Sequence, residues 1–183
     1  MRRVLDTIYG AAMVGACLSM VAIAGLVSVQ VAGRIIDRVR VWLGMDQIGI
    51  AVPSLAEIGG FLLVGAAFLA LPSTLRAAGH VRVIFLVNVL GPLAGRVLTV
   101  LVLAVALGLA VWATWHSADQ ALDSFAFNSL SFGVVRVPLW IPQGVMTLGL
   151  GLFALALADD LVAALRGEAA FRRAERERAG DGH

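Results

Sequence analysis

The sequence predicts an all-α integral membrane protein of four transmembrane helices with short interfacial helical segments. Three observations carry that prediction. Four apolar runs, 8–31, 55–75, 93–115 and 137–165, fill most of the chain. Each reaches the roughly 20 residues that cross a hydrocarbon core of about 30 Å at about 1.5 Å rise per residue. Charges are almost absent inside the runs and make up 14% of the chain, against about 25% in a soluble domain. Hydrophobic residues make up 60%, with a mean hydropathy of +0.93, so the bilayer is the main solvent. The 183 residues make one membrane domain, 1–166, and a charged tail, 167–183, with no room for a second globular domain.

The first run follows Arg2, Arg3 and Asp6, and Tyr9 stands at its start. Its Cys17 is the only cysteine, which excludes an internal disulfide and a cysteine metal cluster. Val14, Gly15 and Ala16 before it resemble a lipoprotein cleavage box. However, Asp6 interrupts the basic segment, and the apolar run continues to Val31, past the roughly 7–15 residues of a signal core. The run therefore reads as an uncleaved helix. In the first loop, 32–53, Arg34, Asp37, Arg38 and Val41 continue a charged helical face. Gly44 and Gly49 break it, and Pro53 with Ser54 opens the second helix.

The second run carries Glu57 near its start and ends at Arg76. Val81 to Val89 is too short to span and reads as an interfacial or re-entrant piece, stopped at Gly91 and Pro92. The third run closes on Trp112 and Trp115. The loop expected after it, 116–136, holds Asp119, Asp123, Asn128 and Ser129 among Phe125, Phe127 and Phe132. Trp140 opens the fourth run. Tyr9, Trp112, Trp115 and Trp140 thus fall where aromatic belts form. The tail alternates acids with Arg and reads as a solvated, fraying helix.

Arginine placement sets the expected orientation. With the N-terminus inside, ten arginines are internal (Arg2, Arg3, Arg76, Arg82, Arg96, Arg166, Arg172, Arg173, Arg176 and Arg178) and four external (Arg34, Arg38, Arg40 and Arg136). Both termini are then cytoplasmic. All 14 basic residues are Arg, a codon-bias signature beside the abundant Ala, Gly, Val and Leu. The net charge of +2 gives no reason to expect nucleic acid as a partner; the bilayer is the expected one.

Few residues offer chemistry. Ala11, Gly15 and Ser19, and then Ala56 with Gly60 and Ala66 with Ala70, are small residues at helical spacing that let helices approach in lipid. Glu57 is a carboxylate near the start of an otherwise uncharged apolar run, which suggests a proton carrier or a pairing with an Arg of a partner or, more simply, an interfacial group reaching water. His80 and His116 invite a two-histidine haem site. The topology places them about one bilayer thickness apart, roughly 30 Å, which excludes it. There is no phosphate loop, no nucleophile with a base and no metal-ligand spacing. The expectation is a protein that is not an enzyme and holds no cofactor.

One set of motifs goes further. Pro53 to Glu57 is followed by Gly65, Ala66 and Ala67, then by Leu75-Arg76-Ala77-Ala78-Gly79-His80-Val81-Arg82-Val83. Val137-Pro138-Leu139-Trp140 precedes the last run. This pattern resembles the small membrane subunit (DctQ-type) of TRAP (tripartite ATP-independent periplasmic) transporters, over about 29–165. The family often has Asp after the His-Val-Arg-Val run, where this chain has Ile84, and the first loop is longer here than in many members. The resemblance implies a bacterial inner-membrane scaffold for a large TRAP permease subunit. That permease would take up an organic acid with sodium from a periplasmic substrate-binding protein. It also makes Glu57, Gly65, Arg76, Gly79, His80, Arg82, Pro138 and Trp140 the candidate partner or structural residues. Two other classes stay open: a stand-alone small transporter or channel, and a redox-complex membrane anchor.

Overall fold

The structure, a computed structural model, describes residues 2–49, 51–78 and 92–166. It is built of four helices: α1 (Arg2–Trp42), α2 (Leu55–Ala78), α3 (Pro92–Ala126) and α4 (Trp140–Leu165). All four are long and apolar enough to cross a membrane, as the sequence predicts, and no strand occurs among the described residues. The interfacial piece expected at 81–89, the candidate residues Gly79, His80 and Arg82, and the tail lie outside the described residues.

The helices form a row. α1 packs on α2, α2 on α4, and α4 on α3, so α1 and α3 are the outer members. Ala110, Ala154 and Leu157 centre the main apolar cluster, with Leu75, Leu103 and Phe153 packed around it. The outward faces of α1 and α3 keep large apolar side chains such as Leu18, Val21, Leu101 and Leu109 exposed, as helices with a lipid solvent should. α1 and α2 run antiparallel, as do α3 and α4, while α2 and α4 run parallel, so the start of α1, the end of α2, the start of α3 and the end of α4 share one end of the row. Arg76 pairs with Asp6 there, and Arg96 Nη2 donates to the Leu165 carbonyl at 2.7 Å, closing an otherwise orphan helix terminus.

Two helices run past their apolar runs. α1 continues through the charged stretch to Trp42, as the Arg34–Asp37–Arg38 spacing predicts. It stops in a Schellman motif: Met45 N–H donates to the Arg40 carbonyl (2.9 Å), Gly44 N–H to the Val41 carbonyl (3.1 Å), and Gly44 sits at φ +73°. The loop then folds back on the helix. Asp37 accepts from the amides of Ile48 (2.9 Å) and Gly49 (3.2 Å), and Gln30 Oε1 from that of Val52 (2.6 Å).

The third helix corrects the sequence reading. Residues 116–126, expected in a loop, belong to α3. Hydropathy falls after Trp115, but no Gly or Pro occurs before Gly133, and Ser117 and Ser124 keep a helical inward face, both buried. α3 stops at a second Schellman motif, with Asn128 at φ +48° and Ser129 N–H donating to the Ser124 carbonyl at 2.9 Å. The connection is therefore only 127–139. Ser131 pins it, accepting from Val137 N–H and donating to the Val135 carbonyl, beside a lone bridge between Leu130 and Pro138. α4 begins at Trp140, three residues later than its apolar run.

Candidate functional site

Polar groups gather at three levels. At the shared terminal end, Arg76 of α2 bridges two carboxylates. It pairs with Asp6 of α1 and lies 3.7 Å from Asp159 of α4. Its guanidinium carbon sits 4.5 Å from the centre of the Tyr9 ring. A planar guanidinium does this as an ammonium cannot: its edges reach two acids while its face covers a ring. Ser73 Oγ, one turn earlier, donates to the Tyr9 carbonyl at 3.2 Å. Tyr9 is only 2% exposed, and its hydroxyl has no hydrogen-bond partner among the described residues. Tyr9 thus stands at the charged helix end expected of an aromatic belt, but its ring is buried against α2 rather than facing outward. Trp112 and Trp115 stay exposed, and Trp112 meets His116 edge-on at 4.7 Å.

Mid-row, the seams are made by small residues. Gly65 of α2 leaves room for Ser19 of α1 and Val145 of α4: a Cβ there would lie 3.2 Å from Ser19 Oγ and 3.7 Å from Val145 Cγ1. A Cβ at Gly149 would come within 2.6 Å of the Phe68 carbonyl. Of the expected α1 stripe, Gly15 and Ser19 face α2, a Cβ at Gly15 lying 3.2 Å from Leu69 Cδ1, with buried Ala12 and Ala16 beside them, whereas Ala11 is exposed. Between α3 and α4 the seam is apolar around Ala110, Ala154 and Leu157 and polar toward the 127–139 connection. Ser117 and Thr147 share a hydrogen bond of 2.7 Å. With its amide nitrogen turned toward α3, Gln143 donates to Ser124 Oγ at 2.7 Å and to the Gln120 carbonyl at 3.2 Å.

At the opposite end, Glu57 lies under the 127–139 connection. One carboxylate oxygen is buried without a hydrogen-bond partner among the described residues. It abuts Gly133, where a Cβ would collide with it. Beside it Ser54, at φ +54°, accepts from Val135 N–H at 3.0 Å through its hydroxyl. Its carbonyl takes the first α2 amides, Glu57 and Ile58. Ser54 thus holds the connection while opening its own helix. Trp140 packs edge-on against Phe125 at 5.7 Å.

Residues 23–167 match the family model described as tripartite ATP-independent periplasmic transporters, DctQ component. The chain belongs to this family. No curated protein and no solved structure shows a match. As a TRAP small permease subunit, the chain is a component of a transporter and a multi-pass membrane protein.

In this small permease subunit the candidate residues do not form one site. Glu57, Pro138 and Trp140 share the end with the 127–139 connection, Gly65 is mid-row, and Arg76 is at the other end. Gly79, His80 and Arg82 lie outside the described residues. The sequence reading missed the grouping of Asp6, Tyr9 and Asp159 around Arg76. The available signal was opposite charges at matched depth on neighbouring apolar helices. It also missed Gly133 and the Ser117–Thr147 pair, for which a single sequence carries no signal of partnership.

Proposed function

We propose that this small permease subunit is a membrane scaffold for the large permease subunit of its transporter. In this reading the permease moves an organic acid with sodium, after a periplasmic binding protein has delivered it. The subunit sits in the bacterial inner membrane with both termini cytoplasmic. The single-layer row carries the reading. Four helices side by side enclose no passage, and the charged side chains of the described residues lie at the two ends of the row. A solute path through a stand-alone carrier needs polar groups facing an interior at several depths. The polar part of the seam between α3 and α4 satisfies its own hydrogen bonds. The turn at Gly79, His80 and Arg82 belongs to the same proposal, as the brace between α2 and the permease.

Reconstitution tests the reading. In liposomes with the permease and the binding protein, a sodium gradient should drive carboxylate uptake; the subunit alone should give none. Uptake by the subunit alone overturns the scaffold role in favour of a small transporter. Arg82→Ala and His80→Ala should insert normally but lose co-purification with the permease. Normal complex and uptake in both would remove the turn from the site.

A further inference from the structure

The outward face of α1 carries an unpartnered heptad. Val14, Leu18, Val21, Gly25, Ser28, Ala32, Ile35, Val39 and Trp42 alternate steps of four and three residues, and all nine are exposed. That spacing winds only about 20° per heptad around a helix, a shallow stripe that a supercoiling partner helix can follow. Its central residues are small, as close helix approach in lipid requires. Ile36 and Leu43, also exposed, flank the upper part.

Depth decides what covers this stripe. Leu26 and Val27 of α1 line the same crevice as Leu55 and Ala56, so the apolar run of α2 begins at their level. The next 15 residues, to Trp42, rise about 22 Å along the helix axis. Headgroups account for only about 5–8 Å of that on each side. Ile35, Val39 and Trp42, the last 90% exposed, therefore stand beyond the lipid. Lipid covers the lower stripe but not the upper, and a soluble protein the upper but not the lower. One continuous stripe calls for a membrane protein whose helix also projects from the bilayer. α2 ends, α3 begins and α4 ends at the opposite end of the row.

Charge selects among membrane partners. Arg34 and Arg38 border a groove of about 600 Å³ beside the stripe, with Asp37, Val41, Trp42 and Gln47, and neither has an acidic partner among the described residues. A second copy would bring the same arginines, and of its acids at this level Asp37 is held by the loop amides, leaving only Asp46 exposed.

We infer that this α1 stripe is the docking surface for a projecting helix of the large permease subunit, with an acidic residue of that helix meeting Arg34 or Arg38. The inference rests on the proposed scaffold role. Photo-crosslinking from a benzophenone amino acid tests it in the assembled transporter in nanodiscs. Val21, within the bilayer, and Val39, beyond it, should both crosslink to the permease with or without the binding protein. Ala32→Trp, which fills the close-packed centre, should weaken co-purification about tenfold, while Leu109→Trp on the free face of α3 should not. If Val39 reaches only lipid, only the binding protein or only a second copy, the docking surface is wrong although the scaffold role stands. The same follows if Ala32→Trp co-purifies normally. If the unaltered subunit does not co-purify with the permease, both readings fall.

Discussion

Gly149 of α4 packs directly on the backbone of Phe68 in α2. The cause lies four residues along: Pro72, fully buried in α2, has no N–H to return to the Phe68 carbonyl, so the ladder is open there. The absence of a side chain at Gly149 lets α4 close on that open turn. Gly149→Ala should therefore cost about 1–3 kcal/mol, because the new methyl meets rigid backbone. Gly65→Ala should cost less, since its nearest neighbour is the Ser19 hydroxyl, which can rotate. Thermal unfolding in detergent checks the order. A larger loss at Gly65 would overturn this account of the seams.

Arg76 ties three helices at one end. Arg76→Ala removes a bridge to Asp6 and Asp159 and uncovers Tyr9, and should lower stability by about 1 kcal/mol. The value stays small because partly exposed ion pairs are screened by solvent. Arg76→Lys should restore only part of it, because an ammonium does not pair with two acids and cover a ring at once. If the lysine variant unfolds like the parent, the bridging geometry contributes nothing.

Glu57 and Gly133 make a pair of opposite predictions. Glu57→Gln keeps the shape and replaces a carboxylate, one oxygen of which is buried without a hydrogen-bond partner among the described residues, by a neutral amide that costs less to bury, so unfolding should be unchanged or shifted slightly upward. Gly133→Ala drives a methyl into that carboxylate and into Ser54, and should destabilise by about 1–3 kcal/mol. Chemical denaturation of each variant, followed by tryptophan fluorescence from Trp140, separates them. A stable Gly133→Ala protein would mean that the connection does not rest on Glu57.

The four helices were legible because hydropathy and length report the bilayer directly. The end of α1 was legible too, since Gly44 supplies the positive φ that its cap requires. The end of α3 was not: hydropathy drops at His116 while the backbone stays helical to Ala126, and the cap falls on Asn128, a weaker signal than glycine. Candidate residues divide in the same way. Arg76 was visible as a charge at a helix end. Its partners Asp6, Tyr9 and Asp159 come from two other helices, and their grouping depends on the row order, which periodicity does not encode. Glu57 was visible as an isolated acid, but its cover, Gly133, is a glycine in a loop.

Topology follows from two independent facts. Arg76, which pairs with Asp6 and lies 3.7 Å from Asp159, places the start of α1 and the end of α4 at one end of the row. The ten arginines on that side against four on the other predict that this end is cytoplasmic. The native Cys17 is exposed on the lipid-facing side of α1, so Cys17→Ser gives a clean background. In that background Val134→Cys, at an exposed position in the 127–139 connection, should react with an impermeant maleimide in intact cells. Gly180→Cys, in the tail, should react only after permeabilisation. The contacts put the start of α1 and the end of α4 on one side, so a flip should exchange both results together. Labelling at Gly180 with protection at Val134 would invert the protein in the membrane and place the α1 stripe beyond the cytoplasmic headgroups.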